Sequence, residues 1–123
     1  MIRAYQIRCT TVGSAGAATV TAYSDEVIQG IVTAVKVDYH ASAPATTTVV
    51  ITEDGGMQQS ILSLAAGNTD AIRYPTAPAY TQANAAVSGV VVPIMLAGSK
   101  VKVVVDLSDA LTNAVIVTVY TLS

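Results

Sequence analysis

The only histidine of the chain, His40, closes a stretch that also carries Lys36 and Asp38 (GIVTAVKVDYH, residues 30–40). An amine, a carboxylate and an imidazole in so short a span are the raw material of general acid–base catalysis. Their spacing points elsewhere. In a strand, alternate side chains share a face, so Lys36, Asp38 and His40 line one side at intervals of about 7 Å. That is too far for hydrogen bonds between short side chains. The stretch reads as a sheet wall, with Ile31, Thr33, Val35, Val37 and Tyr39 on a core face and the three polar residues on a solvated or interface face.

The remaining reactive residues are as sparse. Asp25 with Glu26, and Glu53 with Asp54, are adjacent acids placed in a connector and a hairpin, where such pairs serve turns and solubility. No Asp/Asn-rich loop of the calcium-binding type is present, although a cation held between subunits stays open. Cys9 and His40 fall short of a zinc ligand set. There is no Gly-x-Ser-x-Gly, no phosphate loop and no dinucleotide turn. Catalytic residues, metal and cofactor are all expected to be absent, and the chain is expected not to be an enzyme. Cys9, alone, has no internal disulfide partner and reads as a small buried hydrophobe.

The elements that would position any site are strands. Period-2 alternation recurs along the chain and a helical period does not. AYQIRCT puts Tyr5, Ile7 and Cys9 on one side; AATVTAY follows the turn GSAG; SDEVIQG connects to the strand of residues 30–40, with Gly30 at a bulge or turn. ASAPA ends that strand, since Pro44 cannot donate to a ladder. TTTVVITED and MQQSILSLA flank Asp54-Gly55 as a hairpin. IRY stops at Pro75, and Pro75–Ala86 then runs without periodicity, as functional or neighbour-contacting loops do. Three strands complete the chain: AVSGVVVPIML, bent at Pro93; SKVKVVVDL after the turn AGS; and NAVIVTVYTL. Val101, Val103, Val105 and Leu107 share a face, as do Val115, Val117 and Val119. The opposite face of the last strand, with Ile116, Thr118 and Tyr120, is also too apolar to be left wet. The expected fold is one all-β domain over residues 1–123, an antiparallel sandwich, jelly-roll-like, of eight or nine short strands.

Composition sets the function class. Of 123 residues, 52% are hydrophobic but only 11% charged, with no Phe or Trp and six Tyr. An ordinary soluble domain carries about a quarter charged residues. Such a chain folds and then lacks the charges to cover its surface, so other subunits or a partner are expected to cover part of it. A net charge of −2, without a basic stripe, argues against nucleic acid. No run reaches the roughly 20 apolar residues of a membrane span. No export signal is visible, so synthesis in a cytoplasm is expected. Sugar sites favour aromatic platforms; Tyr74 and Tyr80, flanking the Pro-rich segment, fit a protein contact better.

The pattern GIVTAVKVDYHASAPATTTVVITED, a long strand leading through a Pro/Ala loop into a Thr-rich strand, and the closing VPIMLAGSKVKVVVDLSDALTNAVIVTVYTL together resemble the small β-sandwich head decoration, or cement, proteins of tailed bacteriophages. The resemblance is one of style over most of the chain. It implies a sandwich on the outside of a capsid, a homotrimer at local three-fold positions, and contact with the major capsid protein. Candidate contact segments are Met1–Thr10 and Pro75–Ala86, with Arg3, Tyr5, Tyr74, Tyr80, Gln82 and Asn84 as the residues. The competing expectation is a carbohydrate- or host-surface-binding module of a phage tail, a fibre or a cell surface.

Overall fold

Branched Val, Ile and Thr side chains pack well on a pleated surface, and the stretches rich in them are strands. The computed structural model describes Met1–Ser123 and has nine: β1 (Ile2–Cys9), β2 (Ala18–Tyr23), β3 (Ile28–Tyr39), β4 (Thr48–Asp54), β5 (Ser60–Leu64), β6 (Ala71–Arg73), β7 (Thr76–Tyr80), β8 (Ala86–Ser108) and β9 (Val115–Leu122). There is no helix, hence none long and apolar enough to cross a membrane. Every pairing is antiparallel. The order is β1-β9-β3-β8-β4-β5, with β2 and β7 also on β8 and β6 on β3.

The 23-residue β8 joins the parts. Its first segment pairs with β7, its middle with β3, and its last with β2 and β4. A single core of 17 buried residues draws on both halves of the sheet. Ile7, Cys9, Val35, Val37, Val115, Val117 and Val119 come from β1, β3 and β9; Val49, Ile51, Ile61, Val101, Val103 and Val105 come from β4, β5 and β8. The sheet therefore folds over at β8 and packs on itself, which is compatible with the expected sandwich or jelly roll.

Bulges reset the alternation, and here several expectations are corrected. In β3 the register on β9 slips between Val32 and Ala34. Thr33 sits in the slip, its hydroxyl donating to the Tyr120 carbonyl at 3.1 Å. Before it Ile28 and Val32 face the core, and after it Val35 and Val37 do, so Ile31 and Thr33 do not line the core face. AGS is no turn: Gly98, at φ +81°, is a bulge inside β8 that moves the buried positions from Ile94 and Leu96 to Val101, Val103 and Val105. A third slip opposite β2 leaves Leu107 at φ +53° and half exposed while Ser108 turns inward, so Leu107 leaves the valine face. The β4–β5 hairpin forms as expected, but through the loop Gly55–Gln59 with Gln58 at φ +47°, not through a tight Asp54-Gly55 turn. The segment Pro75–Ala86 is not an irregular loop throughout: β7 occupies Thr76–Tyr80 and pairs with β8. The candidate contact segment Met1–Thr10 is almost wholly the regular edge strand β1.

Candidate contact surface

Lys36, Asp38 and His40 follow one another along β3 and its end as expected, but the long Lys36 side chain spans the interval to its neighbour. The Lys36 ammonium lies 3.7 Å from Asp38. His40 is exposed just beyond β3, where its Nδ1 accepts a hydrogen bond from the Ser42 amide at 3.0 Å. The imidazole thus caps a turn. Next to it, the Tyr39 amide donates to Asp70 at 2.7 Å. Burial raises the Tyr39 phenol above its ordinary pKa, the Asp70 charge adds to this, and Arg73 opposes it. No three His, Cys, Asp or Glu side chains converge as metal ligands. Cys9 is fully buried, and burial pushes its thiol up to about 11. Glu53 departs from the expected turn role: it is buried in β4, accepting from the Gln59 side chain at 3.2 Å.

What the fold does expose is an arm. β7 and the first third of β8 form a hairpin, closed by a turn in which the Thr81 amide donates to the Ala85 carbonyl at 2.9 Å and Asn84 adopts φ +63°. From Tyr74 through Ser99 the chain contains no charged residue. Residues 80–93 are all exposed. Among them Val90, Val91, Val92 and Tyr80 are 48, 60, 43 and 58% exposed.

The two faces of the arm follow from register, because residues directly opposite in an antiparallel pair share a face. One face pairs Ala77 with Val92 and continues along β8 to Ile94 and Leu96, both in the core. The other pairs Thr76 with Pro93 and Pro78 with Val91, and continues to Met95. There it meets the outer face of the sheet. Ile2 lies opposite Leu122, Leu122 opposite Ile31, and Ile31 opposite Met95, which makes one apolar row across β1, β9, β3 and β8. The next row is Ala4–Tyr120–Ala34, and only the row after that introduces a charged side chain, Lys36 beside Thr118.

The candidate contact residues distribute unevenly over this surface. Tyr74 stands at the root of the arm and Tyr80 along it, both well exposed, with Gln82 and Asn84 in the closing turn. Arg3 is exposed on β1, but Tyr5, two residues on, packs against the core. Arg3 and Tyr5 are thus remote in sequence pairing from the arm, on the edge strand. Sequence reasoning missed Ile2, Ile31, Met95, Leu122 and the valines Val90–Val92. The charge-free run from Tyr74 to Ser99 is a signal for Met95 and Val90–Val92, whereas nothing local marks Ile2, Ile31 and Leu122.

No protein-family model matches this chain, and no curated protein matches it. Among solved structures it is similar to a crystal structure of FLHE, at 16% identity over 99% of this chain and 98% of that one, with a TM-score of 0.49. It is also similar to the enzymatically active domain of bacteriophage CBA120 tailspike protein 4, at 10% identity, TM-score 0.39, over 99% of this chain and 19% of that one. A third likeness is to infectious bursal disease virus, Gt strain, at 13% identity, TM-score 0.38, over 98% of this chain and 30% of that one. At such scores none of these likenesses bears on what the chain does.

Proposed function

We propose that this chain is a structural protein of a virus particle, a decoration protein that binds the outside of an assembled phage head, contacts the major capsid protein and works as a homotrimer without catalysing a reaction. The observation that carries the reading is the exposed β-arm and its run of residues without charge from Tyr74 to Ser99. An apolar projection of this kind is costly in water and serves adhesion. A protein that binds the assembled lattice but not dispersed subunits stabilises the lattice by mass action, with no chemistry required. Purified chain mixed with assembled heads of its virus should sediment with them, should ignore dispersed capsid subunits, and should raise the temperature at which the heads break. Sedimentation with neither heads nor subunits removes the proposal. The exposure of Tyr74 and Tyr80, 74 and 58%, favours a second reading, a carbohydrate- or host-surface-binding module. Specific retention on a glycan array, abolished by Tyr80→Ala, would establish it instead.

A further inference from the structure

The proposed homotrimer leaves open which surface joins the copies, and on that reading the register of four strands supplies an answer. Two apolar surfaces without a charged side chain are uncovered: the row Ile2–Leu122–Ile31–Met95, and the arm face bearing Val91, Pro93, Pro78 and Tyr80. Both lie on the same side of the same sheet, because Met95 belongs to the row and continues along β8 into the arm face. The sheet already folds over on its inner face to close the core, and this outer side stays exposed, so neither surface covers the other within one chain. A second copy can do so, at the usual spacing of about 10 Å between packed sheets.

The dimensions and the charge agree with this. The row spans three strand spacings, about 14 Å, and the five residues of β7 extend about 17 Å. The basic and acidic residues of the chain all lie outside the arm, and the sheet's outer face acquires a charged side chain only from Lys36 onward; the Met1 ammonium and Ser123, beside the Ile2–Leu122 end of the row, pair with each other at 2.6 Å. An arm without charge avoids burying an unpaired one only on a surface that also lacks it, and the row is such a surface. We infer that the arm of each copy lies across the Ile2–Leu122–Ile31–Met95 row of the next copy. Contact between two different patches is heterologous, and such contacts close into a ring when the rotation between copies is a whole fraction of a turn, one third for a trimer.

The test uses the full chain with Met95→Lys, an exposed position at the junction, and Val12→Lys, similarly exposed just past the end of β1 away from Ile2, as the control. Circular dichroism first establishes that both fold. Sedimentation velocity should show wild type and Val12→Lys as the same oligomer, with Met95→Lys dissociating at concentrations at least about tenfold higher, since a lysine would be desolvated in the contact. In addition, Val91→Cys protein mixed with Ile2→Cys protein should form a mixed disulfide on oxidation, and Val12→Cys mixed with Val91→Cys should not; native Cys9 is buried and does not compete. An oligomer that survives Met95→Lys and yields no mixed disulfide overturns the arm-on-row contact while leaving the homo-oligomer standing. A wild type that is monomeric throughout, yet is held by assembled heads and released by Met95→Lys, overturns it in favour of the shell as the occupant. A monomer that no head retains overturns both this contact and the function on which it rests.

Discussion

Gly30 shows how much a single missing side chain carries. It lies inside β3 at φ +114°, and a Cβ there would come within 2.6 Å of the Leu122 carbonyl oxygen. Gly30→Ala therefore meets both a forbidden backbone region and a backbone atom that cannot step aside. The variant should lose about 2 kcal/mol or more of stability in urea titration. Cys9 makes a second statement at this scale. Its thiol is pushed from 9.0 to about 11 in the folded protein, so the folded state holds its proton more tightly than the unfolded chain does. Stability from this group is complete below pH 9 and declines as pH rises toward 11, because the unfolded state alone gives up the proton in that window. The slope is at most about 1.4 kcal/mol per pH unit. Cys9→Ser or Cys9→Ala should flatten that decline in urea titrations at pH 8 to 11, and wild-type Cys9 should resist alkylation at pH 8 until the protein unfolds.

At the scale of the element, β8 is one strand in three environments. Val92 and Ile94 occupy the same face two residues apart, yet Val92 is 43% exposed and Ile94 only 2%. Ile94→Ala should cost about 2–5 kcal/mol, the usual range for emptying a packed aliphatic site. Val92→Ala should change the stability of the dilute monomer by no more than about 0.5 kcal/mol. Equal costs for the two would mean that the arm packs on its own domain and is not free. The contrast arises because Ile94 has β3 beside it and the folded-over sheet beneath, whereas Val92 has only β7 beside it. The three prolines of the region also become intelligible here. Pro75 and Pro93 flank the root of the arm and Pro78 lies within β7. Each lacks an amide donor, and proline on an exposed edge discourages open-ended strand addition. The arm is thereby apolar on its faces but guarded along its edge.

For the whole molecule, the decisive quantity is apolar surface that one copy cannot cover. The sheet closes over a single core, and the arm and the outer row remain outside it. If copies cover those surfaces, stability depends on concentration, because association draws the folded state down by mass action. The melting temperature should rise by several degrees between about 1 and 100 µM protein, and Met95→Lys should remove the dependence. A melting temperature that ignores concentration over that range would count against self-association of any kind.

The all-β class, the valine faces Val101–Val105 and Val115–Val119, the β4–β5 hairpin and the solvated role of Lys36, Asp38 and His40 were legible in the sequence alone, because strand periodicity and turn chemistry are local. So was the shortage of charge for the surface. Which residues face inward beyond a bulge was not legible. Thr33, Gly98 and Leu107 each shift the alternation by one place, and a bulge exists only relative to the strand it is paired with. For the same reason the segment Pro75–Ala86 read as a loop: two prolines and small residues make a poor strand in isolation, and pairing with β8 is what orders it. The apolar row is the clearest case. Ile2, Ile31, Met95 and Leu122 are scattered along the chain, and only the tertiary pairing of four strands lays them side by side.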